Sequence, residues 1–481
     1  MSETEITVIH GNNKLIYDAQ PGTVLADLLA FHGIPVRADC GRRGSCGKCR
    51  VKVLSGTFDN EKTDENNTVR ACKAVIKNSA VISTDIIKGD GLTASSDSFR
   101  SCSGVCGIAV DIGTTTIAAA KLHKNGKITY ASALNPQSIY GADVISRINA
   151  CTNGSLTILT GLIRSCINDI VNELDKEKEA EELVISGNTT MLHLFCGVSP
   201  ESMGVYPFTP AFTDTQHPDI QDFGENIKKI TVLPSVSAFV GSDITAGIYA
   251  KGLHKTDKTI LFADLGTNGE LVLSHKGKLY CTSTAAGPAL EGACIECGMG
   301  GVGGAINRIY QENNEIKFSV IGDKTPNGIC GAGLVDAIAL LINKNLIDET
   351  GCLENIFCIT DEVYISQDDI RQFQLAKSAI YSGIETLLEA AGITVSEVDT
   401  IMTAGGLGYY IDNENAFVSG LLPRHNNITA TGNTSLQGAV MCLTDSNAAE
   451  EMQQITKNCT LVDLGGNPKF NERFMNNMFF L

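Results

Sequence analysis

A chain of 481 residues, 43% hydrophobic and 19% charged, is long enough for two or three separately cored domains and has a globular composition, not a disordered one. Its formal net charge of −17 argues against a nucleic-acid partner or an anionic membrane surface, because both need a basic footprint. The opening MSETEITVIHG has neither the basic nor the apolar region of a secretion signal, and no apolar run reaches bilayer length, so the expectation is a cytoplasmic protein away from membranes.

In chain order, residues 5–17 alternate apolar and polar on either side of Gly11-Asn12-Asn13, the pattern of a hairpin. A helix is expected from Thr23, as its cap, to Phe31, ended by Gly33. A cysteine-bearing loop, a strand near 50–54 and a strand near 80–86 complete the order of a β-grasp, which places a first domain at residues 1–87. Residues 88–104 are rich in Ser, Gly and Asp and read as a linker. From there strands and helices alternate to the end, so the whole is a multi-domain α/β protein.

Within that second part Asp111-Ile112-Gly113-Thr114-Thr115 returns as Asp264-Leu265-Gly266-Thr267-Asn268, each turn set between two apolar runs. The echo implies a duplicated fold with halves at 105–254 and 255–481 and the two turns facing each other. The longest helix is expected over Asp368–Ala391, capped at Ser366 and stopped at Gly392.

With 17 cysteines in a cytoplasmic setting, metal or redox chemistry is expected in place of a disulfide framework. Cys40-Gly-Arg-Arg-Gly-Ser-Cys46-Gly-Lys-Cys49 brings three thiols onto one Gly-rich loop, and Cys72 is the preferred fourth. Four thiolates converging on two irons make a [2Fe–2S] cluster, with glycines letting backbone amides approach the sulfurs. A zinc knuckle would pair two C-x2-C units, and only 46/49 is of that kind in the first domain. Cys102 and Cys106 are the alternative fourth ligands, but they lie beyond the strand that closes the small domain.

A phosphate cradle needs backbone donors, no obstructing Cβ, hydroxyls, and a carboxylate for the water shell of Mg²⁺. Gly113, Thr114, Thr115 and Thr116 after Asp111 meet that need, as do Gly266, Thr267 and Asn268 between Asp264 and Glu270. Gly405 and Gly406, in Thr403-Ala-Gly-Gly-Leu-Gly408, are expected against an adenosine. The implied ligand is ATP with Mg²⁺, and Asp111, Asp264 and Glu270 are the candidates for orienting the attacking water. Gly298-Met-Gly300-Gly-Val-Gly303 matches a dinucleotide fingerprint but follows no clear strand, so it is set aside.

Taken together these residues resemble the reductive activators of corrinoid proteins, ATPases with an N-terminal ferredoxin domain. The likeness extends through Ser186-Gly-Asn-Thr-Thr-Met191, Ala285–Gly292 running into Cys297-Gly-Met299, Asn327–Gly331, Gln374–Lys377, Ala404–Gly408 and Gly432–Leu436. It implies a large domain of the actin-like, RNase H-like superfamily of acetate and sugar kinases, Hsp70 and actin. It also implies an ATP-dependent one-electron reduction of Co(II) to Co(I) in a corrinoid methyl carrier, an upstream low-potential electron donor, and a homodimer. Against longer members, the chain is expected to lack a middle domain; against activators with two C-terminal [4Fe–4S] clusters, its tail 458–481 holds only Cys459. Cys294 and Cys297, a further C-x2-C, are expected to be buried small residues near the nucleotide, with a redox pair as the alternative. The competing readings are an ATP-coupled donor to another low-potential metalloenzyme and a simple ferredoxin-type carrier.

Overall fold

A computed structural model describes residues 4–10, 13–32, 34, 36, 44, 49–84, 104–224, 226–313 and 315–480. Strands β1 (Thr4–His10), β2 (Asn13–Ala19), β3 (Arg50–Ser55), β4 (Thr68–Arg70) and β5 (Ala80–Thr84) form a sheet in the order β2-β1-β5-β3-β4. The β1–β2 hairpin is antiparallel and β1 runs parallel to β5, the β-grasp arrangement. Ile6, Val8 and Ile82 of the sheet and Leu25 and Leu29 of α1 (Leu25–Phe31) are fully buried together in its core.

The pair His10 and Asn13 closes the hairpin, whose tip residues Gly11 and Asn12 lie outside the described residues, as do Gly33 and the 88–103 part of the linker. The helix starts later than its sequence suggests. Val24 is the N-cap and no side chain caps it. The free amides of Leu25 and Ala26 are instead taken by the carbonyls of Ala74 (2.9 Å) and Ala71 (3.0 Å), so a distant turn does what Thr23 was expected to do.

The remainder is built twice on one plan. In the first copy β6 (Gly107–Ile112), β7 (Thr116–Leu122), β8 (Ile128–Leu134), β9 (Glu182–Gly187) and β10 (Lys229–Val232) lie in the order β8-β7-β6-β9-β10. In the second, β11 (Ile260–Leu265), β12 (Gly269–His275), β13 (Lys278–Thr284), β14 (Thr400–Ala404) and β15 (Ile428–Ala430) lie in the order β13-β12-β11-β14-β15, with a short strand at Cys459–Leu461 added beside β13. In each, the first three strands are antiparallel hairpins and the last two run parallel to the first. Identical order and direction in both sheets is the RNase H-like fold, duplicated.

Helix α2 (Val144–Ala150) precedes the long α3 (Leu156–Leu174), which covers β7 and β8 of the first sheet, and α4 (Thr189–Cys196) opens directly from β9 and packs against α2. Helices α5 (Ser242–Lys251) and α6 (Thr434–Thr444) cross between the halves, close enough that a Cβ on Gly438 would stand 2.3 Å from the Ala246 carbonyl. The helix Gln367–Ala391 carries the expected capping box, Ser366 with Asp369, and ends at Gly392 with φ +70°. Its Gln374 and Lys377 donate to the carbonyls of Met478 (2.7 Å) and Phe479 (2.6 Å), so the Gln374–Lys377 motif anchors the C-terminal segment. Among the described residues no helix is long and apolar enough to cross a membrane.

Candidate functional site

The β6–β7 and β11–β12 turns meet face to face. The Thr114 and Thr267 hydroxyls stand 2.9 Å apart across the gap, although 153 residues separate them in the chain. Both turns are tight because the first amide closes back, Gly113 onto the Thr116 carbonyl at 3.0 Å and Gly266 onto the Asn268 carbonyl at 3.2 Å. Around them lies a cavity of about 320 Å³, within the small-molecule range. Every nucleotide-binding residue expected from the sequence lines it: Gly113 to Thr116, Gly266, Thr267, Asn268, Gly405 and Gly406. Gly405 sits at φ +77° and a Cβ there would stand 2.5 Å from Asp264 Oδ1, so this position tolerates only glycine.

Asp111, Asp264 and Glu270 line the same cavity, joined by Asp243 from the first turn of α5. Asp111 is gripped on both oxygens, by Asn433 Nδ2 and by Ser435 Oγ, each at 2.7 Å. Ser435 in turn meets Ser186 Oγ at 2.9 Å, so the start of α6, the end of β9 and the end of β6 are laced together behind Asp111. The Asp264 carboxyl takes no hydrogen bond from a described residue. Burial, reinforced by the neighbouring carboxylates, pushes Asp264 up to about 8 and Asp243 to about 7. Glu270 is raised well above the carboxylate range for the same reasons, and Asp111 is raised by burial against the pull of its two donors.

Five carboxylates line the cavity, counting Glu291, and no Lys, Arg or His does so among the described residues. Two buried amide atoms in its wall, Asn188 Nδ2 and Asn307 Oδ1, have no hydrogen-bond partner there. Such orphaned groups suit a polar ligand that arrives to satisfy them. No three His, Cys, Asp or Glu side chains form a ready metal cage among the described residues.

Sequence reasoning missed part of this site. Asp243 was not singled out, since an acidic residue in a first helical turn after Gly-Ser looks like ordinary end stabilisation. Asn188, Glu291, Asn433 and Ser435 lie in segments that carried the family resemblance without being assigned a role. Gly300, Gly301 and Val302, in the segment whose dinucleotide reading is set aside, line the cavity wall, and no described strand leads into that segment. One expectation is corrected. Cys294 is not buried: it is exposed, with φ +61°, and Cys297 is half-buried.

In the small domain, Cys49 and Cys72 are both buried and their sulfurs stand 3.3 Å apart, too far for a disulfide and close enough to share a cluster. Arg70, paired with Glu61 through two contacts at 2.6 and 2.9 Å, also donates to the Gly44 carbonyl of the cysteine loop at 2.6 Å. Cys40 and Cys46 lie outside the described residues. Cys106 is buried immediately before β6, where it packs in the ATPase part of the chain.

Residues 8–77 match the 2Fe-2S iron-sulfur cluster binding domain, residues 106–256 the RACo middle region, and residues 258–481 the C-terminal domain of RACo, the ASKHA domain. A corrinoid activation enzyme, RamQ of Eubacterium limosum, is 35% identical over 419 residues, covering 78% of this chain and 70% of that protein. The chain belongs to the RACo family. A second relative, the [Co(II) methylated amine-specific corrinoid protein] reductase of Methanosarcina barkeri, is 24% identical over 395 residues, 74% of this chain and 73% of its own. The solved structure of a reductive activator for corrinoid,iron-sulfur protein matches over 99% of this chain and 98% of its own, at 25% identity and a TM-score of 0.72. Membership in the RACo family gives the chain a [2Fe–2S] ferredoxin domain and an ATP-binding ASKHA domain. It also overturns the expected lack of a middle region, because residues 106–256, which hold the first copy of the duplicated fold, match that region.

Proposed function

We propose that this chain reduces the inactive Co(II) form of a corrinoid methyl-carrier protein to Co(I), passing one electron through its [2Fe–2S] cluster in a step driven by ATP. One observation carries the reading. A single chain joins a ferredoxin domain with two thiols converging to 3.3 Å to a two-turn nucleotide cleft, and aligns over 78% of its length with a corrinoid activation enzyme.

Cys40, Cys46, Cys49 and Cys72 would hold the cluster. When bound, it supplies a one-electron carrier whose potential in plant-type ferredoxins is about −400 mV. Reduction of Co(II) in a corrinoid is harder than that, and each ~59 mV of a one-electron gap costs about 1.4 kcal/mol. A nucleotide-driven change in which state of the complex is bound tightly is enough to cover a few such steps.

Mg²⁺ fits the acidic wall at Asp111, Asp243 and Asp264, keeping waters and nucleotide phosphates as its remaining ligands, which suits the lack of a ready protein cage. Bound with the nucleotide, it offsets the charge that five carboxylates and a triphosphate bring together. Thr114 and Thr267 offer hydroxyls, and Gly113 and Gly266 leave room for phosphate oxygens. Asp264, whose carboxyl takes no hydrogen bond from a described residue, is proposed to orient the attacking water. Asp111, engaged on both oxygens, orients. Glu270, which burial pushes toward its neutral form, shapes the wall.

ATP is proposed to act on the docked complex, by removing a cobalt ligand or releasing the spent partner, and not on the cluster. An upstream low-potential donor and a homodimer belong to the same reading and rest on the family likeness. The test mixes the reduced protein with a Co(II) corrinoid carrier from the same cell and follows the visible spectrum with and without Mg-ATP. Co(I) that appears only with ATP is expected. An intact cluster spectrum and ATP binding without Co(I) from any corrinoid carrier would favour the reading as a donor to another metalloenzyme.

A further inference from the structure

Arg147, on α2, is completely buried, and among the described residues no carboxylate pairs with it. Its guanidinium donates to neutral acceptors alone: the Thr114 carbonyl, the Gly141 carbonyl at 3.2 Å, Gln137 Oε1 at 3.3 Å and Met191 Sδ at 3.0 Å. Stripping a cation of water with no carboxylate in hydrogen-bond contact is costly: burial lowers this guanidinium to about 10, although Asp143 and Glu291 oppose the fall through space. Holding the 136–141 loop would need only a neutral donor. The charge calls for a further reason.

The contact with Thr114 supplies one. In a planar trans peptide the C=O and the following N–H point in opposite directions. Drawing the Thr114 carbonyl back onto Arg147 therefore turns the Thr115 N–H the other way, and that N–H bonds to no described residue. Thr114 and Thr115 both line the cavity, whose described wall holds five carboxylates and no cation. Arg147 stands directly behind this wall. Its neighbours on the same helix do not explain it, since Ile148 faces the separate cluster of Met203 and Ala238.

We propose that Arg147 is a positioning residue for nucleotide phosphate: it aims the Thr115 N–H into the cavity, and its buried charge is balanced by the phosphates of the bound nucleotide. The inference rests on the nucleotide reading of the cavity. The dependence is directional, because it concerns phosphate and not the nucleoside.

The test uses the full-length protein with its cluster and measures binding of Mg-ATP, Mg-ADP and adenosine by calorimetry, for wild type, Arg147→Met and Arg147→Lys. Arg147→Met is expected to weaken both nucleotides by about tenfold or more, the scale of a charge-assisted hydrogen bond, and to leave adenosine unchanged. Arg147→Lys keeps the charge and loses the fork, so it should recover part of that loss. Equal weakening of adenosine and ATP would mean a merely structural arginine and overturn the proposal, as would wild-type ATP affinity in Arg147→Met. Should Arg147→Met fail to fold, Arg147→Lys decides: it must lose phosphate-dependent affinity, and wild-type behaviour there rejects the aiming role. A wild-type protein that binds no ATP would instead sink the nucleotide reading itself.

Discussion

The carboxylate of Glu291 accepts the backbone N–H of Thr267 at 2.7 Å, and its second oxygen accepts the Thr115 hydroxyl. One acidic side chain thus bridges the two phosphate turns and occupies donors that a nucleotide phosphate would use. Anionic oxygen on these donors is what the turns are built to hold, and here the protein provides it.

Glu291 and a bound phosphate therefore compete. Glu291→Ala should bind Mg-ATP several-fold more tightly, because donors are freed and one of five carboxyls is removed from the wall. The same variant should lose ~1–3 kcal/mol of nucleotide-free stability with the bridge. Calorimetry and thermal melts read the two effects, and weaker ATP binding in Glu291→Ala would reject the competition.

The acidic wall sets a pH dependence. Asp264 and Asp243 have folded-state values of about 8 and about 7, above the unfolded value of a carboxyl near 4. Between those limits the folded chain binds more protons than the unfolded one, so stability falls as pH rises. The melting temperature of the nucleotide-free protein should drop from pH 5 to pH 8. Asp264→Asn should flatten that slope, and a slope left unchanged by the substitution would place its origin elsewhere.

Ser435 donates to Asp111 Oδ1 and also meets Ser186, so Ser435→Ala removes a donor from a carboxylate that burial already disfavours. The expected cost is ~1–3 kcal/mol of stability, with a lower ATPase turnover number and little change in nucleotide affinity. A turnover number equal to wild type would mean that Asp111 needs only Asn433.

Cys72→Ser should abolish the visible absorption of the [2Fe–2S] cluster, and with it Co(II) reduction, while ATP binding stays at the wild-type level. Cys294→Ser should do neither, since Cys294 lies exposed in the second half of the ATPase fold. Retained cluster absorption in Cys72→Ser would return Cys102 or Cys106 to consideration as a ligand.

How far the sequence alone could be read followed from the range over which each feature acts. The Gly-rich cysteine loop, the repeated Asp-x-Gly-Thr turns and the capping box at Ser366 are demands of a few neighbouring residues on backbone geometry, so they are legible in short stretches. The β-grasp order and the duplication follow from the same local patterns repeated. The start of α1 escaped because its amides are capped by carbonyls of residues 71 and 74, acceptors that no local pattern contains. Asp243, Asn433, Ser435 and Arg147 escaped for a related reason. An acid after Gly-Ser, a helix cap, a serine and an arginine on a short helix are ordinary by themselves. Only the crossing of α5 with α6 brings the first three to one cavity, and only the seating of α2 behind the Thr114 turn brings Arg147 against its wall. There burial, by removing water, turns ordinary side chains into strongly interacting charges, and that is decided by the tertiary structure alone.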